Sequence, residues 1–122
     1  MNREACHYTK TEKGVVCNLC PRYCELTEGQ MGVCKTRKVL DGKLITTSYG
    51  NPCAIHVDPV EKKPLYHFYP GTTAYSIAVA GCILSCKNCQ NYTISQTSPR
   101  EIPGYPFSPE AIIAECKRTQ AP

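Results

Sequence analysis

Seven of the chain's ten cysteines fall in two tight sets, and any fold the chain adopts has to present both. The first set is Cys17, Cys20, Cys24 and Cys34, spaced C-x2-C-x3-C-x9-C, with Gly29 and Gly32 where a tight knuckle must turn. The second is Cys82, Cys86 and Cys89, spaced C-x3-C-x2-C, within Gly81–Asn91 and directly after the apolar run Ile77–Ala80. Cysteine at this density in a short chain means either a disulfide-stapled secreted scaffold or metal binding. The stretch from Met1 to Gly14 is polar and charged, with no apolar signal core and no small-residue cleavage site. No apolar run approaches the length of a membrane span. A reducing cytosol keeps thiols free, so the expectation is a cytoplasmic metal-binding protein without a membrane partner.

The two sets ask for different chemistry. Four thiolates can close a tetrahedral zinc site or hold an iron–sulfur cluster. The spacing of Cys17, Cys20, Cys24 and Cys34 does not choose between zinc and a second iron–sulfur cluster, and buried or disulfide-paired cysteines remain the alternative. Three thiolates are an incomplete zinc site and an odd number for disulfides. Cys82, Cys86 and Cys89 suit a cubane 4Fe–4S cluster in which one iron lacks a protein ligand and can bind a chelating small molecule. Gln90 and Asn91, immediately after, carry amides able to donate to the sulfurs. Fourteen Lys and Arg against ten Asp and Glu leave a net charge of +4, too mild and dispersed to expect a nucleic-acid partner.

Along the chain, residues 1–16 read as a flexible terminus, with Cys6 and His7 as a stray ligand pair at best. Asp41-Gly42 between Thr36–Leu40 and Lys43–Tyr49 predicts a two-residue hairpin. Cys53–Asp58 alternates and predicts a further short strand, with Cys53, Ile55 and Val57 inward and His56 on the opposite face. Pro59, Pro64 and Pro70 make 58–71 an extended connector. Its Glu61, Lys62, Lys63 and His67 either line a pocket mouth or are simply solvated. Thr73–Ala80 reads as a strand buried on both faces, as in a parallel sheet, with the three-cysteine loop leaving its C-terminal end. After a loop over 92–107, Ser108 is a predicted N-cap, followed by Pro109, Glu110 and the apolar stripe Ile112, Ile113 and Cys116. Strand, cysteine loop and helix make one β/α unit. The expected organisation is a cysteine-rich, β-containing region and connector over 1–71, then the start of an α/β domain over 72–122.

The motif Gly81-Cys82-x3-Cys86-x2-Cys89-Gln90-Asn91 on a loop after a strand resembles the radical S-adenosylmethionine superfamily. Cys17-x2-Cys20-Pro21-Arg22-x-Cys24 with Gly29, Gly32 and Cys34 looks like the N-terminal region of proteins grouped with pyruvate formate-lyase-activating enzymes. Within that group, Asp58–Gly71 and the run from Cys89-Gln90-Asn91 to Ile94-Ser95-Gln96 resemble the AmmeMemoRadiSam system radical SAM proteins, and the resemblance covers about residues 17–114. It implies the first β/α unit of a partial (β/α)6 barrel, preceded by the small cysteine-rich unit. It also implies Cys82, Cys86 and Cys89 as ligands of a 4Fe–4S cluster, with Asn88 near S-adenosylmethionine at a position that is usually aromatic. The implied activity is that of an oxidoreductase-type enzyme, reductive cleavage of S-adenosylmethionine to a 5′-deoxyadenosyl radical that abstracts a hydrogen atom from substrate. The implied partners are S-adenosylmethionine, an electron donor such as a flavodoxin or ferredoxin, and a protein substrate. With one β/α unit present, the chain reads as an N-terminal portion, inactive alone. Two alternatives stand beside this reading: a glycyl-radical-enzyme activase, and a non-catalytic zinc-binding module in which both cysteine sets are structural.

Overall fold

In the computed structural model, which describes residues 2–102 and 104–121, the chain forms eight short strands and two helices. Strands β1 (Arg3–Glu4), β2 (Tyr8–Thr11), β3 (Gly14–Cys17) and β4 (Glu25–Leu26) are followed by β5 (Arg37–Leu40) and β6 (Lys43–Thr46). Then come β7 (Ala54–Pro59), a single 3₁₀ turn (Val60–Lys62), β8 (Thr73–Ala78), α1 (Tyr92–Ser95) and α2 (Pro109–Arg118). All pairing is antiparallel, in three small sheets ordered β1-β6-β5, β2-β3-β4 and β7-β8.

The hairpin at Asp41-Gly42 forms as its turn chemistry requires. Asp41 and Gly42 have φ of 53° and 66°, the left-handed pair of a type I′ turn that Asp-Gly accommodates. The Glu28 carboxylate accepts from both turn amides at 3.0 Å and fixes the turn from outside. On the inner face Val39 pairs with Leu44, and both are almost completely buried. They pack with Ala5, Val15, Cys17 and Leu26 into the core between the first two sheets. Each of the valine and leucine side chains contributes about 1.5–3 kcal/mol from burial.

The terminus is not flexible. Residues 3–17 supply three strands, and Ala5, Val15 and Cys17 are core residues. Strands of two and four residues are too short to show a period in the sequence. β2 and β3 form a hairpin, Thr11 opposite Gly14, and the unit is tied to the rest by Arg3 opposite Thr46 and Val15 opposite Leu26.

The predicted α/β architecture is overturned. β8 is neither parallel nor buried on both faces. It pairs antiparallel with β7 from Ala54 opposite Ala78 to Pro59 opposite Thr73, and Ile77 is 47% exposed. No β/α barrel unit exists among the described residues, because a parallel strand needs a neighbour of its own direction and β7 runs the other way. The inward face predicted for Cys53, Ile55 and Val57 is also not a core face: Val57 is exposed, and Cys53 and Ile55 are half-buried.

The Pro-rich segment is not an extended connector but a closed loop joining paired strands. The Asp58 carboxylate holds the Lys62 and Lys63 ammonium groups at 2.8 and 2.9 Å, and the Gly71 amide donates to Glu61 at 2.7 Å. Lys62 first, then Lys63, hold the Asp58 carboxyl down at about 2, and the Gly71 amide lowers Glu61. Glu61, Lys62 and Lys63 are thus engaged in holding the loop, while His67 is exposed. Helix α2 starts where the cap predicts, with the Ala111 amide donating to Ser108 Oγ at 3.2 Å. Its expected stripe is uncovered: none of its residues is buried, and Ile113 is 55% exposed.

Candidate metal centre

The first cysteine set is assembled by two turns that face each other. Cys17 ends β3, and its amide donates to the Cys24 carbonyl at 3.0 Å, closing the segment that carries Cys20. Within it the Tyr23 amide donates to the Cys20 carbonyl, and Tyr23 takes a left-handed φ of 43°. Opposite, the Lys35 amide donates to the Gly32 carbonyl and the Gly32 amide to Arg37, both at 2.8 Å, which turns Cys34 inward. All four cysteines, with Leu19, Arg22, Leu26, Gly32, Arg37 and Ile83, line one cavity of about 40 Å³. A Cβ placed on Gly32 would stand 3.8 Å from Cys34 Sγ and 3.9 Å from Cys24 Sγ, so these two sulfurs flank one point. Arg37 Nη1 donates to Cys17 Sγ at 3.6 Å, and the Thr36 hydroxyl lies 3.2 Å from Cys34 Sγ.

The second set lies against the first. Gly81 has a φ of 97°, and a Cβ there would fall 2.3 Å from the Cys34 carbonyl oxygen and 2.5 Å from Thr36 Cγ2. Arg22, between Cys20 and Cys24, donates through Nε and Nη2 to the Ile83 carbonyl at 3.2 and 3.1 Å. Lys35 donates to the Gln96 carbonyl, and the Gly81 amide to Ile94. Two regions far apart in the chain therefore form one surface with both cysteine sets on it.

Within the second set, Cys82 and Cys89 are half-buried and Cys86 is exposed. The Leu84 amide donates to Cys82 Sγ at 3.4 Å, and the Ser95 hydroxyl lies 3.3 Å from Cys89 Sγ. Gln96 Nε2 donates to the Leu84 carbonyl at 3.0 Å and ties α1 back to the loop. Gln90 and Asn91, expected as donors to sulfur, are exposed, and Asn91 instead precedes α1, its carbonyl accepting from Ile94 and Ser95. Asn88 is exposed. The chemistry of the donor set, three thiols with hydrogen-bond donors on two of them, fits an iron–sulfur cluster. Among the described residues no three Cys, His, Asp or Glu side chains stand close enough to ligate one ion, so either set must draw its sulfurs together on binding.

The remaining cysteines stand elsewhere. Cys53 Sγ donates to the Ala78 carbonyl at 3.5 Å between β7 and β8, Cys116 is on α2, and Cys6 is exposed. A larger open depression of about 500 Å³ lies over the β2–β3 turn, lined by residues such as Glu12, Lys13 and Glu25. It has no thiol, and its acidic and basic groups do not converge on a buried point.

Sequence reasoning missed Arg22, Lys35, Ser95 and Gln96 as the residues that hold the two sets in place. Spacing carries no signal for Arg22 and Lys35, whose partners are 61 positions away. Arg22, Ser95 and Gln96 stand in the runs that carry the resemblance, but without an assigned role.

No family model matches the chain, and no solved structure does. An uncharacterized protein of Methanocaldococcus jannaschii is 45% identical over 121 residues, which is 98% of this chain and 36% of that protein. The chain thus spans about a third of the length of the relative it matches. No helix among the described residues is long and apolar enough to cross a membrane.

Proposed function

We propose that the chain is the N-terminal part of a cytoplasmic radical S-adenosylmethionine enzyme of the AmmeMemoRadiSam type. Cys82, Cys86 and Cys89 would be the ligands of its 4Fe–4S cluster. The observation that carries the reading is the division of labour between the thiol sets. Cys17 is buried in the core, whereas Cys86 stands exposed on a loop fixed at its base by Gly81, Arg22 and Gln96. A loop anchored at its root and open at its tip suits three ligands that must leave one coordination position to a small molecule.

A cluster held there would deliver an electron to the sulfonium of S-adenosylmethionine, whose cleavage yields the 5′-deoxyadenosyl radical used for hydrogen abstraction. The protein's own contributions are positional. The Leu84 amide and the Ser95 hydroxyl hydrogen-bond Cys82 and Cys89, stabilising negative charge on the sulfurs. The exposed side of Cys86 leaves room for S-adenosylmethionine and for an electron donor of the flavodoxin or ferredoxin kind. Asn88, beside Cys89 and exposed, would offer the adenine a hydrogen bond rather than an apolar face.

Anaerobic purification and reconstitution with iron and sulfide tests this. The expected product is brown, with about four irons per chain that are lost in Cys86→Ala. Adding S-adenosylmethionine should change the electron paramagnetic resonance spectrum of the reduced protein. A colourless protein that takes up only zinc, however handled, would overturn the reading in favour of a zinc-binding module. A glycyl radical raised on a partner protein by a longer form of the chain would instead identify an activase.

A further inference from the structure

We infer that metal binding at Cys17, Cys20, Cys24 and Cys34 positions the three-cysteine loop, and that Arg22 and Lys35 carry the coupling. Among the described residues, the hydrogen bonds joining 81–96 to distant parts of the chain come from these two side chains alone. Arg22, between Cys20 and Cys24, donates to the Ile83 carbonyl through Nε and Nη2. Lys35, next to Cys34, donates to the Gln96 carbonyl. A third attachment is steric, because Gly81 lies so close to the Cys34 carbonyl and to Thr36 Cγ2 that a Cβ has no room. One anchor thus belongs to the turn over 17–24, and two belong to the turn over 32–37. Cys82 lies between Gly81 and Ile83, so it is suspended between the two turns.

The coupling follows from what the first set has to do. Its four thiols line one cavity but do not stand close enough to ligate, so the two turns must approach before any metal species binds. Without metal the turns fluctuate separately, and the anchors fluctuate with them. A metal bridging the turns fixes both ends of the segment that holds Cys82, and Ile83 lines the same cavity. Arg22 and Lys35 are long side chains, able to follow a shift of the turns without letting go of the loop. Linkage is reciprocal: a docked loop holds the turns at one spacing and changes metal affinity in the first set by the same factor. It is enough that thiols from both turns ligate the same group, whether that group is one ion or a cluster.

The experiment removes the second set so that only the first can take up metal. The 122-residue chain carrying Cys82→Ala, Cys86→Ala and Cys89→Ala together is prepared metal-free, then supplied with zinc, or with iron and sulfide, and its metal content is measured. The result therefore stands whether or not Cys82, Cys86 and Cys89 hold a cluster. Hydrogen exchange is followed over 81–96, where the Gly81 amide is bonded to Ile94, and over the β7–β8 pair. Metal should slow exchange over 81–96 by about 5–150-fold, the usual range of coupling between sites, and should slow β7–β8 by less. At equal metal content, Arg22→Gln with Lys35→Gln should cut that slowing by at least about fivefold, whereas Arg100→Gln should leave it unchanged. If the double variant is unfolded, Lys35→Met alone, which keeps the aliphatic stem, is measured in the same way and should reduce the slowing. The inference is overturned by a chain that takes up neither metal species, by metal uptake without slowing over 81–96, by equal slowing over β7–β8, or by undiminished slowing when the Arg22 and Lys35 links are removed.

Discussion

Replacing Gly81 by alanine tests whether the two cysteine sets are docked on each other. Gly81 sits at a φ of 97°, where a Cβ costs about 1–2 kcal/mol on backbone grounds alone. The added carbon would also lie 2.3 Å from the Cys34 carbonyl oxygen, roughly 1 Å inside an ordinary C···O approach. That oxygen cannot withdraw, because the turn carrying it is fixed by Lys35 to Gly32 and by Thr47 to Thr36. Overlap against fixed backbone adds about 1–3 kcal/mol, for a total of roughly 2–5. The loop escapes only by lifting off. It would then lose the Arg22–Ile83 and Lys35–Gln96 hydrogen bonds, each worth about 0.5–1.5 kcal/mol net, which sets a ceiling of similar size. Gly71→Ala is the control, since Gly71 has a φ of 80° but nothing within 4 Å of its Cβ position. It carries the backbone cost without the overlap. In urea denaturation at fixed metal concentration, Gly81→Ala should fall below Gly71→Ala by about 1 M in midpoint, taking a slope of about 1–3 kcal/mol/M. Coincident midpoints would refute the docked arrangement.

Leu44→Ala removes a side chain with no exposure from the centre of the core, and should cost about 2–5 kcal/mol in the same assay. Asp58 sets an acid limit on stability. Its carboxyl titrates at about 2 when folded and near 3.8 in the free state, so the unfolded chain binds more protons in between. Its contribution is full above about pH 4 and disappears as the pH falls toward 2. Asp58→Asn should flatten urea midpoints measured across that interval, and an unchanged slope would show that Lys62 and Lys63 do not hold the carboxylate in solution.

The parts of the fold that could be read from the sequence are those specified by neighbouring residues. Asp41-Gly42 fixes its own hairpin because only a few residue pairs tolerate two successive positive φ values. Ser108, Pro109 and Glu110 fix the start of α2 because the cap and the first turn are satisfied locally. Thr73–Ala78 was legible as a strand but not in its pairing. A short apolar run gives no sign of whether its neighbour is parallel, and here β7 reaches it antiparallel through a loop closed by Glu61 and Gly71. Strand β1 was invisible because its hydrogen-bond partner lies 43 positions away, and β2 and β3, though paired locally across Glu12-Lys13, are too short and too polar at the turn to announce a hairpin.

The same division holds for the candidate site. Spacing alone grouped the cysteines into four within eighteen residues and three within eight, and the structure places the first four around one cavity. Spacing is a local property, and a local turn either brings thiols together or does not. Only the tertiary structure decided that the two sets share one surface, with Gly81 against Cys34 and Arg22 on Ile83. Only the tertiary structure placed the first four thiols around one cavity. Both depend on how sheets far apart in the chain pack together, and no stretch of sequence contains that information by itself.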